Sequence, residues 1–220
     1  MDALIKSICY NLINIELIRR LITIPRILGI SGSPNKNGNT AYAVQYALDI
    51  LKQRGFETRY ISLSQKNIHP CIGCFKCTND NKCWQKDDME EIINGLHWCD
   101  GIILGSPVYF GMVCGQMKTM MDRCVSTRAS YGDNFPMTGK IGGAIACAYS
   151  RNGGQETTLQ NLQTFLLQLN IQVVSDGPGF CHSGGTIAGD ASKDTWGLET
   201  VRNLANNIGN LLSKNTNIKY

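Results

Sequence analysis

From residue 26 onward, short apolar runs of β character alternate with segments of helical period, and that alternation leaves few folds open. Residues 26–31 (RILGIS) read as a strand. Asn39 can cap a helix in which Val44, Ala47, Leu48 and Leu51 recur at helical spacing until Gly55 stops it. Residues 56–63 alternate as a second strand, and a short helix starts near Asp87. Residues 101–106 (GIILGS) form a third strand, apolar throughout as a parallel strand covered on both faces must be. Met117, Met120, Met121 and Cys124 mark the packing stripe of the next helix. Residues 140–148 give a fourth strand, Leu159, Leu162, Leu166 and Leu169 line another helix, and residues 171–175 give a fifth strand. A glycine-rich loop (177–190) leads to a last helix from about Trp196. Strands separated by helices need right-handed crossovers, so the chain from 26 to 220 is expected to be one α/β domain, a three-layer sandwich around a five-stranded parallel sheet.

Residues 1–25 stand apart. Ile5, Ile8, Cys9 and Leu12 make a helical stripe that Pro25 ends, which predicts an amphipathic helix docked on the domain. Lys6, Arg19 and Arg20 give such a helix little cationic support on a membrane surface. No apolar run approaches the ~20 residues of a membrane span, and the opening MDALIKSICY lacks a leader's apolar core, so a cytoplasmic protein is expected. A net charge of +4 without a Lys/Arg block argues against a nucleic-acid partner.

The first strand runs into SGSPNKNGNT (31–40) and then directly into a helix. Backbone N–H groups and the positive end of the helix dipole meet there, a setting for an anion. No Gly-Lys precedes Thr40, so this is not a nucleoside-triphosphate loop, and only Gly29 and Gly32 approach the dinucleotide pattern. Ser31, Ser33, Asn39 and Thr40 remain, a hydroxyl- and amide-rich cradle suited to a terminal phosphate. The third strand leads to SPVYFG (106–111), whose aromatics can cover a planar ring and whose glycine lets backbone N–H groups reach it. The fourth strand leads to YSRNGGQ (149–155), another glycine-rich turn opening a helix. Loops after strands one, three and four converge on the switch point of a sheet ordered 2-1-3-4-5.

Four of the ten cysteines crowd into residues 71–83 as C-x2-C-x2-C-x5-C. At this cysteine frequency, chance supplies C-x2-C-x2-C about 0.02 times in such a chain. Thiolates stepped in this way can wrap an iron–sulfur cubane, with Gly73 easing the turn. Structural zinc is the alternative, since four cysteines also satisfy a tetrahedral site. Cys9, Cys99, Cys114, Cys124, Cys147 and Cys181 show no ligand spacing and read as small apolar core residues. His69, His97 and His182 have no evident catalytic partner, and nothing resembles a hydrolytic triad.

With SGSPNKNGNT, GSPVYFG and SRNGGQE in these places, the sequence resembles the flavodoxin-like NAD(P)H-dependent FMN reductases over residues 26–212. The cysteine motif after strand two, followed by KDDM (86–89) and GGQETTLQNL (153–162), resembles the iron–sulfur flavoproteins within them. That resemblance implies FMN, with Ser31, Ser33, Pro34, Asn39 and Thr40 at its phosphate and Pro107, Val108, Tyr109, Phe110 and Gly111 at its ring. It implies the third loop, Ser150, Arg151, Gly153 and Gly154, as a further flavin contact. It implies a [4Fe–4S] cluster on Cys71, Cys74, Cys77 and Cys83, within a cluster segment spanning 66–86. The activity so implied passes electrons from ferredoxin through the cluster to FMN and on to a small acceptor such as dioxygen or peroxide, in a homodimer or dimer of dimers. The alternatives are a cluster-free reductase taking hydride from NAD(P)H to FMN or a quinone, and a non-enzymatic, zinc-stabilised flavin-binding module. Lys66, Lys76, Lys82 and Lys86 around the cysteines suit an acidic electron donor.

Overall fold

The computed structural model describes residues 24–128 and 135–215, so residues 1–23 of the expected N-terminal helix lie outside the described residues. β1 (Arg26–Ser31) is flanked by β2 (Glu57–Ser62) on one side and β3 (Gly101–Tyr109) on the other. β3 folds back on the two-residue β4 (Met112–Val113) and pairs in parallel with β5 (Ile141–Ala148). Beyond β5 lies β6 (Gln172–Val173), which completes the order 2-1-3-4-5 when the strands of the main path are counted.

The sheet has seven strands rather than the expected five. The fifth position is split: β6 pairs with Ile141 and Gly142 at the start of β5, and β7 (Gly185–Ala188) pairs with Ile145 to Ala148 at its end. Between them residues 174–184 leave the sheet. Gly177 (φ 80°) starts the excursion, and Asp176 accepts the His182 N–H (2.6 Å), closing it. The loop expected over 177–190 therefore contains a strand, hidden in the sequence because GTIA is too short to show a period.

The strands alternate their side chains between two cores. Leu28, Ile30, Ile102, Leu104, Ala144 and Ala146 face one side, packed by α2 (Met89–Trp98), α3 (Gly115–Arg123) and α4 (Gln155–Gln168). Ile27, Ile103, Ile141, Ile145 and Cys147 face the other, packed by α1 (Asn39–Gln53) and α5 (Thr195–Asn215). Each fully buried Val or Leu of α1 contributes about 1.5–3 kcal/mol relative to exposure. The approach of α1 is close: a Cβ at Gly29 would stand 2.7 Å from both Val44 and Leu48, which glycine avoids. That approach brings the start of α1 over the carboxyl ends of β1 and β3.

Candidate cofactor sites

Four loops leave the carboxyl ends of β1, β3, β5 and β7 and meet along one edge of the sheet. In the first, Ser31, Ser33 and Thr40 are buried, and Pro34 is exposed. The Ser33 hydroxyl accepts the Asn35 N–H (3.1 Å) and shapes the turn. Among the described residues the buried Ser31 hydroxyl has no hydrogen-bond partner. An orphaned donor at the end of a strand facing a helix N-terminus fits a phosphate oxygen. Asn39 is committed elsewhere: its amide donates to the Gly189 carbonyl (2.7 Å) and accepts the Ala191 N–H (3.0 Å). It joins the first loop to the loop after β7, which the sequence reading had not placed at the site.

In the second loop, Phe110 (φ 52°) and Gly111 (φ 74°) form the two-residue turn of the β3–β4 hairpin, both left-handed as a type I′ turn requires. Phe110 is fully exposed at its tip, beside the half-exposed Tyr109 and Met112. Phe110 thus holds its ring in solvent in a conformation that suits Asn or Gly, a strained and exposed apolar group at the loop tip. The hairpin is fixed below by the buried Ser106, whose hydroxyl accepts the Cys114 N–H (3.1 Å), while the Cys114 thiol donates to the Gly32 carbonyl (2.9 Å). Cys114 thus couples the first loop to the second. Sequence alone gave it no such role, because Gly32 is 82 residues away.

The third loop lies against the second. A Cβ at Gly154 (φ 101°) would stand 2.7 Å from the Gly111 Cα, and Thr157 donates to the Gly111 carbonyl (2.6 Å). Buried Gln155 shapes the turn, accepting the Gly153 N–H (2.9 Å) and donating to the Ser150 carbonyl (2.8 Å). Arg151 pairs with Asp194 (2.5 Å), which also caps α5 through the Gly197 N–H (3.0 Å). Pro107 and Val108 lie at the end of β3 below these contacts, with Val108 Cγ1 3.3 Å from the same Gly154 position. Tyr149 stands fully exposed at the start of the loop.

The cysteine segment follows β2 at the sheet edge. Gly73 (φ 65°), Phe75 (φ 54°) and Asn81 (φ 58°) reverse it repeatedly, so Cys71, Cys74, Cys77 and Cys83 all line one cavity of about 430 Å³. Cys77 is buried, Cys83 half-buried, and Cys71 and Cys74 exposed; all nine cysteines among the described residues are free thiols. Among the described residues no three His, Cys, Asp or Glu side chains gather as a single ion needs. Four thiols lining one cavity are a donor set that fits an iron–sulfur cluster. The Lys76 backbone N–H lowers the pKa of the Cys74 thiol, whereas burial raises that of Cys77. Ile72, Phe75 and Trp84 stand exposed around the rim.

The segment is tied down by a pair the sequence reading did not single out. Arg123, at the end of α3, forks onto Asp87 (2.6 and 3.0 Å) with both side chains buried. Burial works against the Asp87 carboxylate, but Arg123 and the His69 and Met89 N–H groups outweigh it and hold its pKa below the ordinary value. A signal was available: Arg123 lies three residues after Met120 and one before Cys124, a charge on the buried face of its helix. One expectation needs correction: Cys181 is exposed, not core, because it rides the 174–184 excursion, where the half-exposed His182 ring lies 3.2 Å from Asp176. Cys99, Cys114, Cys124 and Cys147 are buried as expected; Cys9 lies outside the described residues.

A parallel sheet ordered 2-1-3-4-5 with ligand loops at its carboxyl edge defines a flavodoxin-like α/β protein. The family model described as NADPH-dependent FMN reductase matches residues 25–183. An iron–sulfur flavoprotein of Methanocaldococcus jannaschii is 44% identical over 191 residues, 85% of this chain and 97% of its own. One of Methanosarcina thermophila is 37% identical over 187 residues, 85% of this chain and 95% of its own. A solved structure of RosB with bound 8-demethyl-8-formylriboflavin 5′-phosphate superposes with a TM-score of 0.72 over 89% of this chain and 82% of its own, at 14% identity, and shows the shared fold. The chain belongs to the NADPH-dependent FMN reductase family and, within it, to the iron–sulfur flavoproteins. It is a flavin-dependent oxidoreductase by that membership. Among the described residues, no helix is long and apolar enough to cross a membrane.

Proposed function

We propose that this chain carries FMN and a [4Fe–4S] cluster and transfers electrons between ferredoxin and a small acceptor. The four thiols around one cavity carry this reading, because a flavin reductase working by hydride alone has no use for them. When bound, the cluster supplies one-electron transfer and FMN one- or two-electron transfer, which together connect a one-electron donor to an acceptor such as dioxygen or peroxide. Ser31, Ser33 and Thr40, with Pro34 and the backbone before Asn39, hold the phosphate. Pro107 to Gly111 take the ring, and Ser150, Arg151, Gly153 and Gly154 close its other side. Cys71, Cys74, Cys77 and Cys83 hold the cluster, while Phe75 and Trp84 screen its rim.

Lys76 lies over the Trp84 ring (5.1 Å) and Lys82 is exposed, so both offer positive charge to an acidic ferredoxin; Lys66 is engaged by Glu91 (2.6 Å). The exposed Phe110, Tyr149 and Met112 favour a homodimer or dimer of dimers that covers the flavin edge. A second reading, entry of reducing equivalents as hydride from NAD(P)H, is favoured by the family's description. Anaerobic purification with iron, sulfide and zinc analysis, chromatography of the released flavin, and stopped-flow reduction by ferredoxin and by NADPH tests the proposal. Four irons, FMN and fast reduction by ferredoxin are expected. Stoichiometric zinc, or reduction by NADPH alone, would overturn it.

A further inference from the structure

We propose that Arg123 is a positioning residue for the cluster, holding both ends of the cysteine loop and setting the cluster's reduction potential through its buried positive charge; this rests on the cluster reading above. Arg123 is the last residue of α3, and its side chain is 1% exposed. Its Nη1 donates to the His69 carbonyl (2.7 Å) and to Asp87 (2.6 Å), and its Nη2 to Asp87 (3.0 Å). His69 stands two residues before Cys71, and Asp87 four after Cys83. One side chain therefore grips the loop on both sides of the four ligands. The same loop ends are already joined without it, by the Gln85 amide donating to the Pro70 carbonyl (3.3 Å) and the His69 N–H donating to Asp87 (3.0 Å). Closing the loop alone does not call for a buried guanidinium.

What the guanidinium adds is charge and one spare donor. Asp87 takes the Nη1–Nη2 edge, and among the described residues Nε is buried with no hydrogen-bond partner. Arg123 lines the cavity together with the four cysteines. Of the four cysteines, Cys83 alone also lines a second cavity with Arg123 and Asp87, so it stands beside the guanidinium on both sides. A buried charge with an unused donor is costly unless something else in the site completes it. A cluster with four thiolates carries about −2 when oxidised and −3 after taking one electron and no proton. A cation fixed in a low-dielectric wall favours the more negative state, so Arg123 raises the potential and eases electron entry. Asp87, paired with Nη1 and Nη2, opposes it in part.

The test is a dithionite titration of the anaerobic holoprotein followed by electron paramagnetic resonance, after iron analysis of each sample. Arg123→Gln should disfavour one-electron reduction of the cluster at least tenfold, a shift of about 59 mV to lower potential. Arg123→Lys should shift it less, because charge remains and only the fork is lost. Asp87→Asn should shift it upward, because the opposing negative charge is gone. The FMN potentials in the same samples should stay within error. Should Arg123→Gln not accumulate as folded protein, the opposite signs for Arg123→Lys and Asp87→Asn carry the test. Unmoved cluster potentials in iron-replete variants overturn the role of Arg123 while leaving the cluster in place. Absence of iron from the wild-type sample overturns the cluster reading itself, and this assignment with it.

Discussion

The Ser31 hydroxyl is buried at the carboxyl end of β1, and nothing among the described residues receives its proton. A buried polar group left unsatisfied costs about 1–3 kcal/mol, and a phosphate oxygen accepting that O–H would relieve it. Ser31→Ala is therefore expected to leave the stability of flavin-free protein unchanged or raise it by about 1 kcal/mol. The same change should weaken FMN binding about tenfold, or about 1.4 kcal/mol. Urea titration of the flavin-free form and flavin-fluorescence titration measure the two effects; loss of stability with unchanged affinity would make Ser31 an ordinary core residue. Single residues were legible where local chemistry carried them. Hydroxyls between a strand and a helix, or cysteines three apart, announce themselves within a dozen positions. Arg123 and Cys114 did not, because their partners lie far off in sequence, His69 at 54 residues and Gly32 at 82.

Among the elements, the β3–β4 hairpin says most about function. Its turn asks for Asn-Gly and holds Phe110-Gly111 instead, so the phenylalanine bears a left-handed conformation that costs about 1–2 kcal/mol. Phe110→Asn should relieve that strain and raise the thermal midpoint by about 2–4 °C, while lowering flavin affinity and turnover because the exposed ring is lost. Calorimetry beside flavin titration checks both directions. A variant that is more stable and binds flavin equally well would remove the hairpin tip from the site. The periodic elements, α1 and α4 above all, were legible because a stripe of Val and Leu at helical spacing has one reading. The hairpin was not, since Pro107 reads as the end of a strand although β3 continues through it in register with Cys147. Nor was the split of the fifth strand, where β6 and β7 are too short to show alternation and the 174–184 excursion is set by Asp176 meeting His182.

Across the whole molecule, seven of the nine described cysteines fall into two populations, four around the cavity and three in the cores with raised pKa values, and that division has a consequence for stability. The four of the cavity sit on a loop outside the cores, where thiolates can meet a metal group. Cys99, Cys124 and Cys147 lie inside the cores, and burial pushes their pKa values to about 11, about 12 and about 12, against an ordinary 9.0. These thiols are protonated and unreactive at neutral pH. In the unfolded chain the same groups ionise as pH rises through 9, whereas in the folded chain they hold their protons until 11 or 12. Their contribution is thus fully present below pH 9 and is lost as pH rises toward the folded values. At pH 10 each withdraws about 1.4 kcal/mol, about 4 kcal/mol for the three. Anaerobic urea unfolding of the full chain should show that loss between pH 8 and 10, with the midpoint falling throughout. Cys147→Ala should cost stability at pH 7.5 through its lost packing yet flatten the alkaline slope by about a third, since one of the three ionisations is removed. A stability profile flat to pH 10, or a slope unchanged in Cys147→Ala, would mean that these thiols are not held in the dry interior described for them.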